Sequence, residues 1–329
     1  MNLPGMETTI AELLASGKGI LAADESFSTI EKRFKALNIP STEENRRDYR
    51  ELLFTTFGLS EFISGGILFD ETIRQRTQAG ISLPELLTKQ GIIPGIKVDK
   101  GTIALVNRPG EKITQGLDGL RERLAEYRQL GARFTKWRAV IAIGEQIPTR
   151  ACIEANANAL ALFAALSQEA GLVPIVEPEV LMDGNHTIAR CEEVTNVALK
   201  SVFAALFDHR VVLEQMLLKT GMVLSGTECP EQAEAGRVAE ATLRCLRRTV
   251  PAAIPGIVFL SGGQSDVMAT ERLNAICQHS GLPWKLSFSF GRALQDAALK
   301  TWMGSQANVA VAQAALLYRA KCNSLAIRS

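Results

Sequence analysis

Short apolar runs recur along the whole chain, each bounded by Gly, Pro or a charged residue. Most are continuously apolar in their first half, which is typical of parallel strands buried on both faces. Stretches with helical apolar spacing separate them, among them one over Ala235–Thr249 and one that opens at Thr149 and ends at Gly171. Eight strand–helix units predict an α/β fold, a single (β/α)₈ or TIM barrel occupying residues 1–329 as one domain. The predicted strands cover residues 19–24, 63–70, 93–99, 132–140, 173–179, 213–219, 256–262 and 284–290.

The alternative fold is a doubly wound open sheet. It would require a glycine-rich fingerprint after the first strand, and the sequence has none there. Ahead of the first strand, Thr9 and Glu12 fit a capping box, and Ile10, Leu13 and Leu14 supply an apolar face. We therefore expect a short N-terminal helix before the barrel.

Composition excludes several classes of function. The formal net charge is +1, so nothing global indicates nucleic-acid binding or a polybasic membrane anchor. The sequence shows no targeting segment and no apolar stretch of about 18 residues, which predicts a cytoplasmic protein with no membrane partner. The six cysteines form no CxxC pair and the three histidines are far apart, so we predict neither disulfides nor a metal site.

Charged residues lie at the ends of most of the predicted strands. Three strand ends carry two charged residues at positions i and i+2, which point to the same face. Barrel enzymes hold their active sites at the C-terminal mouth. A solvated strand end explains any one of these positions, but five ends from five strands together favour a shared polar site inside the mouth. The charged residues at these five ends are Asp24, Lys97, Asp99, Lys136, Arg138, Glu177, Glu179 and Lys219, and Arg292 follows the eighth strand.

Lys219 has the most apolar sequence setting of any lysine, in LLKTGMV. A lysine must be neutral to act as a nucleophile, and burial beside another cation such as Lys136 favours the neutral amine. A lysine surrounded by carboxylates would instead be a plain ion pair. The residues alone leave both interpretations open.

Two segments are candidate phosphate sites. The loop at 260–265, LSGGQS, follows the seventh strand, and Gly291 and Arg292 follow the eighth. Glycines allow backbone N–H groups to approach an anion, and arginine can bind phosphate in bidentate fashion. A second polar cluster, Ser26, Ser28, Thr29 and Arg33, follows the first strand. Two anion sites on opposite sides of one mouth predict a substrate with a phosphate at each end.

Nine ordered motifs connect these residues to a known family. The motifs are KGILAADES (18–26), STEENRRDYR (41–50), GIKVDKG (95–101), TQGLDGL (114–120), KWR (136–138), PIVEPEVLMDGNH (174–186), LLKTGMV (217–223), FLSGGQS (259–265) and FGRALQ (290–295). With these motifs the chain resembles the class I fructose-bisphosphate aldolases, a resemblance that spans residues 18 to about 300. It implies a metal-independent and cofactor-free lyase that cleaves fructose 1,6-bisphosphate reversibly to dihydroxyacetone phosphate and glyceraldehyde 3-phosphate, and a homo-oligomer, usually a tetramer.

The resemblance also implies roles for the catalytic residues. Lys219 would form the Schiff base with the ketose. Glu177 would be the general acid and base during imine formation and hydrolysis, and Glu179 would orient groups near the lysine. Lys136 would keep the site cationic and contact substrate hydroxyls. Asp24 would handle the hydroxyls at the bond to be cut.

The remaining residues implied by the resemblance bind substrate. Ser261, Gly262 and Arg292 would hold one phosphate. Ser26, Arg33 and Lys97 would hold the other. The set of predicted substrate-binding residues is completed by Thr29, Arg138, Gly263 and Gly291.

The sequence departs from the animal pattern of this family at three places. Phe27-Ser28-Thr29 stands where TGS is familiar, and Phe290 stands where Tyr is frequent. The third is the end of the chain at Ser329, without a C-terminal catalytic tail ending in Tyr, which leaves the proton donor to the enamine open. Two alternatives remain: another Schiff-base sugar-phosphate lyase on the same barrel, for which one phosphate would suffice, and a non-catalytic scaffold, which would be expected to have lost Lys219 or Glu177.

Overall fold

A computed structural model describes residues 5–328. Within them, eight parallel strands close into a barrel, with β1 paired to both β2 and β8. The order around the ring is β1-β8-β7-β6-β5-β4-β3-β2, which confirms the predicted (β/α)₈ fold. The strands are β1 Gly19–Ala22, β2 Ile63–Leu68, β3 Ile93–Lys97, β4 Phe134–Ile141, β5 Val173–Val180, β6 Leu217–Thr220, β7 Gly256–Phe259 and β8 Lys285–Phe290.

Helices surround the barrel. A two-stranded antiparallel hairpin, Thr102–Ala104 with Lys112–Thr114, lies outside the ring and was not predicted. Short 3₁₀ turns cover Leu59–Glu61, Leu213–Gln215 and Gln306–Asn308. The α-helices of the described residues are α1 Met6–Leu13, α2 Phe27–Lys35, α3 Glu43–Phe54, α4 Asp70–Arg74, α5 Leu83–Lys89, α6 Leu120–Gln129, α7 Arg150–Glu169, α8 Ile188–Asp208, α9 Ala235–Thr249, α10 Asp266–Cys277, α11 Arg292–Trp302 and α12 Val309–Ala326.

The predicted N-terminal helix exists as α1, but the capping-box prediction is wrong. Gly5 is the N-cap, and Thr9 lies inside the helix, where its hydroxyl donates to the Gly5 carbonyl at 3.2 Å. Thr9, Ile10 and Leu13 are buried because α1 packs its apolar face against the barrel.

The sixth predicted strand, 213–219, begins too early. Residues Leu213–Gln215 form a 3₁₀ turn, and the strand starts at Leu217. The Gln168 side chain holds the preceding backbone on both sides, accepting from the Val212 N–H at 2.9 Å and donating to its carbonyl at 2.7 Å. These bonds occupy the groups that a ladder would need.

Two apolar layers stabilise the barrel, one inside the ring of strands and one between the strands and the surrounding helices. The interior layer collects inward residues from seven strands together with Ile10, Leu13 and Leu14, of which the two leucines lie at its N-terminal end. Gly65 makes room for this layer, since a Cβ there would lie 2.6 Å from Leu13. Above the layer, the inward positions become charged, and the polar site of the mouth therefore rests on a closed apolar floor. The interior members are Ile10, Leu13, Leu14, Ile20, Ala22, Ile67, Ile93, Phe134, Val173, Ile175, Leu217 and Val258.

Along β4 the alternation of side chains is clear. Thr135 and Trp137 face the helices, where Trp137 stacks on Phe163 of α7 with ring centroids 5.6 Å apart. Phe134 faces the interior, and Lys136 therefore points into the barrel, as predicted. In residues 5–328, no helix is long and apolar enough to cross a membrane.

Candidate active site

Lys136 lies at the centre of the charged mouth. Its ammonium is 2.7 Å from Asp24 Oδ2 and 3.2 Å from Glu177 Oε2, and its side chain is only 4% exposed. Asp24 follows the end of β1 by two residues and Glu177 is on β5, so the contact joins three separate strand ends.

Lys219 enters this cluster from β6. Its Nζ lies 3.1 Å from Glu177 Oε1, and both side chains are buried. Glu177 therefore bridges two lysines, one at each carboxylate oxygen. Oε2 is within ion-pair distance of Lys136 but accepts no directed hydrogen bond from the described residues. That oxygen keeps an accepting position for another donor.

The electrostatics of this cluster favour ionised groups. Burial alone would raise the pKa of Asp24, but the positive charges of Lys136, Lys219 and Lys97 outweigh it and lower the pKa to about 2. Burial would likewise lower the pKa of Lys136, and the charges of Asp24, Glu177 and Asp99 outweigh that effect and raise it. Asp24 is thus a carboxylate and Lys136 an ammonium at neutral pH.

A second ring of ion pairs surrounds the first. Lys97 contacts the Asp99 carboxylate, and Arg138 Nε donates to Glu179 Oε2. The Arg138 backbone N–H also donates to Asp99 Oδ2 at 3.2 Å, which ties the ends of β3 and β4 together. Burial would lower the pKa of Arg138, but Glu179 outweighs burial and raises it.

The loop of residues 260–265, here called the cradle, turns sharply after β7. Gly262 has φ +56°, in the left-handed region that favours glycine. Gln264 holds the turn, since its side chain donates to the Ser261 carbonyl at 3.1 Å and accepts from Arg272 at 2.9 Å.

Arg292 completes the cradle from the start of α11. Its guanidinium donates to the Gly262 carbonyl, and it has no carboxylate within ion-pair distance among residues 5–328. An exposed guanidinium beside a glycine turn is suited to an anion.

The second polar cluster surrounds the start of α2. The Ser26 hydroxyl is 3.2 Å from that of Ser28 and 3.1 Å from that of Thr29. Arg33 pairs with Glu25 at 2.6 Å. The prediction that this cluster lies opposite the cradle is wrong, because β1 pairs directly with β8.

The positions across the mouth from the cradle belong to other predicted residues. β3 and β4 carry Lys97 and Arg138, and β3 is four strands from β7 in either direction around the ring. Of the predicted substrate-binding cations, these two therefore lie on strands farther around the ring from β7 than β1, the strand that precedes Arg33.

A family model named fructose-bisphosphate aldolase class-I matches residues 5–329. The chain belongs to the class I fructose-bisphosphate aldolases. Enzymes of this class are metal-independent lyases that use a lysine Schiff base, and the chain catalyses the reversible cleavage of fructose 1,6-bisphosphate. Within residues 5–328, no group of three or more His, Cys, Asp or Glu side chains is arranged to hold a metal.

Individual relatives agree with this assignment. A probable fructose-bisphosphate aldolase class 1 from Xylella fastidiosa is 58% identical over 327 residues, covering 99% of this chain and 98% of the relative. A cytosolic fructose-bisphosphate aldolase 4 from Arabidopsis thaliana is 53% identical over 309 residues, covering 94% and 79%. The solved fructose-bisphosphate aldolase of Plasmodium falciparum, in complex with TRAP and a small molecule inhibitor, superposes with a TM-score of 0.97 at 50% identity, covering 100% and 96%.

Phe27, a departure from the animal aldolase pattern, packs at the rim of this mouth. Its ring meets Phe69 edge-on with centroids 5.1 Å apart, and the Arg46 guanidinium lies 4.9 Å above it. Arg46 is itself fixed by Glu71 at 2.8 Å. The phenyl ring is thus held between neighbouring side chains, and in the α2 cluster Ser28 and Thr29 stay exposed while Ser26 is half-buried.

Two features of this aldolase site were missed in the sequence. Ser289 lies beside Ile20 in the register of β8 and β1, on the interior face, and its buried hydroxyl has no hydrogen-bond partner in residues 5–328. The alternation SFSF could have signalled it. Glu25 pairs with Arg50 at 2.6 Å as well as with Arg33, in a buried network behind Asp24. Nothing in the one-dimensional pattern links residues 25 and 50.

Proposed function

We propose that Lys219 forms the Schiff base with C2 of fructose 1,6-bisphosphate. The observation that carries this proposal is the 3.1 Å contact between Lys219 Nζ and Glu177 Oε1, deep in the mouth. A carboxylate at that distance can take the proton that must leave the ammonium and can later return it to the departing water, which supports the proposal.

Glu177 then acts as the general acid and base. It takes a proton from the Lys219 ammonium, and the free amine adds to the C2 carbonyl. Protonation of the resulting hydroxyl by Glu177 releases water and leaves an iminium. Glu179 is held by Arg138 beside this pair, and we assign it the role of orienting substrate and water.

Asp24 and Lys136 act at the bond to be cut. Asp24 stays ionised at neutral pH because its pKa is about 2, so it can accept the proton of the C4 hydroxyl. The C3–C4 bond breaks, glyceraldehyde 3-phosphate leaves, and the electron pair moves into the iminium to give an enamine. Lys136, 2.7 Å from Asp24, stabilises the negative charge that develops on the oxygen. Protonation at C3 and hydrolysis of the imine then release dihydroxyacetone phosphate.

The two phosphates have separate attachment points in this proposal. Ser261, Gly262, Gly263, Gly291 and Arg292 hold one phosphate at the cradle, where the guanidinium has no carboxylate partner among the described residues. Lys97 and Arg138 receive the other phosphate across the mouth. Ser26, Thr29 and Arg33 line the α2 side between the two.

Kinetics of matched variants test these roles. Lys219→Met should lose at least about a thousandfold in cleavage rate, because no other group supplies the imine. Glu177→Gln should lower kcat by roughly 10² to 10⁴ with a small change in KM. Lys200→Met, which removes an exposed lysine on α8, should match the wild type.

The same measurements can contradict the proposal. Cleavage by Lys219→Met at a tenth or more of the wild-type rate would assign the imine to another lysine. Loss of wild-type activity in EDTA would contradict the metal-independent chemistry. Circular dichroism of each variant separates a lost function from a lost fold.

We also infer a cytoplasmic homo-oligomer, and a tetramer by resemblance to the family. A cytosolic relative supports the location. Exposed apolar side chains on outer helices, among them Phe207, Val311 and Tyr318, support a subunit interface. Sedimentation equilibrium should give four times the chain mass of 35.7 kDa, and a monomer would contradict the inference.

A further inference from the structure

We propose that the thioether of Met182 occupies a phosphate-binding amide of the cradle, and that a bound phosphate must displace it. Met182 would then set the affinity of the enzyme for the phosphorylated end of its substrate. The inference rests on the proposed function, since it takes the cradle to be a phosphate site.

Contact between Met182 and the cradle is direct. The Gly263 backbone N–H donates to Met182 Sδ over 3.0 Å. The sulfur also lies close to both glycines of the turn, 3.6 Å from the position that a Cβ of Gly262 would take and 3.0 Å from that of Gly263. A donor that the glycine turn presents outward is therefore already paired.

Met182 reaches the cradle from a different loop. It follows β5 by two residues, and its carbonyl accepts from the Thr227 N–H at 2.8 Å. Two further backbone bonds, Glu228 N–H to the Gly184 carbonyl at 2.9 Å and Gly226 N–H to the His186 carbonyl at 2.8 Å, fix this loop to the one after β6. The backbone is thus tied down, while the side chain is only half-buried and, being unbranched with three rotatable bonds, can adopt other rotamers.

The chemistry of the two acceptors favours exchange. A thioether is a weak acceptor, whereas a phosphate oxygen forms a charge-assisted hydrogen bond with a backbone N–H. Phosphate therefore replaces the sulfur, but its apparent affinity is lowered by the interaction that it breaks. One neutral hydrogen bond corresponds to a factor of about 2 to 10 in an equilibrium constant.

Two variants of similar volume should change the competition between residue 182 and phosphate for the Gly263 N–H in opposite directions. Met182→Leu keeps an apolar side chain without an acceptor, so KM for fructose 1,6-bisphosphate should fall about 2- to 10-fold. Met182→Gln places a stronger amide acceptor at the same reach, so KM should rise. In both, kcat should stay within about twofold, because the side chain of Met182 forms no hydrogen bond with Lys219 or Glu177 in the described residues.

The experiment compares KM, kcat and the dissociation constant of inorganic phosphate, measured by calorimetry, for the wild type and both variants. Met268→Leu is the matched control, since it removes an exposed methionine from the first turn of α10. We expect Met182→Leu to bind phosphate most tightly, the wild type less tightly and Met182→Gln most weakly. Equal affinities for all three, or weaker binding by Met182→Leu, overturn the proposal.

Arg292→Ala tests the assignment of the cradle as a phosphate site separately from the role of Met182. If the cradle binds phosphate, this variant weakens phosphate binding whatever Met182 does. Unchanged binding by Arg292→Ala contradicts the phosphate site itself. Weaker binding by Arg292→Ala, together with wild-type behaviour of both Met182 variants, contradicts the role of Met182 alone.

Discussion

Replacing Lys136 by Met removes the single ammonium that two buried carboxylates share. Nζ lies 2.7 Å from Asp24 and 3.2 Å from Glu177, and the side chain is almost fully buried. Methionine has a similar length and no charge. Removing one partner of a buried ion pair costs about 3–5 kcal/mol, because the remaining charge is left without compensation. We expect the free energy of unfolding to fall by that amount at neutral pH.

The loss of stability in Lys136→Met should depend on pH, and the pKa of Asp24 gives its direction. Burial raises the pKa of Asp24, and Lys136, Lys219 and Lys97 outweigh it, lowering the pKa from 3.8 to about 2. This difference is equivalent to about 2 kcal/mol of stability. Because the folded pKa is the lower one, the contribution is present above about pH 4 and is lost as pH falls towards 2.

Without Lys136, the pKa of Asp24 rises and the carboxyl is protonated under milder acid. The gap in unfolding free energy between wild type and variant should therefore be smaller at pH 5 than at pH 8. Urea unfolding followed by circular dichroism measures this gap. Lys89→Met is the control, since its pair with Glu85 is exposed and should contribute little.

A double variant completes the test. Asp24→Asn combined with Lys136→Met removes both charges and should be less destabilised than the sum of the single variants. A gap that does not change with pH, or strictly additive effects, would refute the argument that the two groups stabilise each other.

Three other substitutions should change stability in ways that urea midpoints can measure. Thr149→Ala removes the side-chain cap of α7 and should cost about 1 kcal/mol, and a variant as stable as the wild type would contradict the capping role. Gly95→Ala should lower the free energy of unfolding by about 1–3 kcal/mol, because the added methyl would overlap the ring of Phe134 on the next strand. The control is Gly236→Ala, which adds a methyl on an open helical surface and should not destabilise the protein. Arg50→Met leaves Glu25 in a buried site with one of its two arginines removed and should cost about 3–5 kcal/mol, and a loss below about 1 kcal/mol would contradict the assigned pairing.

The barrel was predictable from the sequence because most of the predicted strands are continuously apolar in their first half. Parallel strands buried on both faces carry that pattern, and the charged i, i+2 ends mark the side that opens to solvent. Lys136 shows how far this extends: its inward direction follows from alternation along one strand, and the structure confirms it.

Pairing between distant segments was not predictable. Arg50 contacts Glu25 and Arg138 contacts Glu179, yet nothing in the sequence selects these partners. The misplaced α2 cluster has a different origin, since the predicted closed barrel already implies that β1 lies beside β8 and the prediction did not use it. Met182 is a further case, because its contact with Gly263 joins residues 81 positions apart.

The most direct test of the account is chemical trapping of the imine. The enzyme is incubated with fructose 1,6-bisphosphate, reduced with borohydride and digested, and the peptides are identified by mass spectrometry. We predict a triose-phosphate adduct on the peptide containing Lys219, and none in Lys219→Arg. An adduct confined to Lys136 or another lysine, or its absence in active wild-type enzyme, would contradict the assignment of Lys219 as the residue that forms the Schiff base.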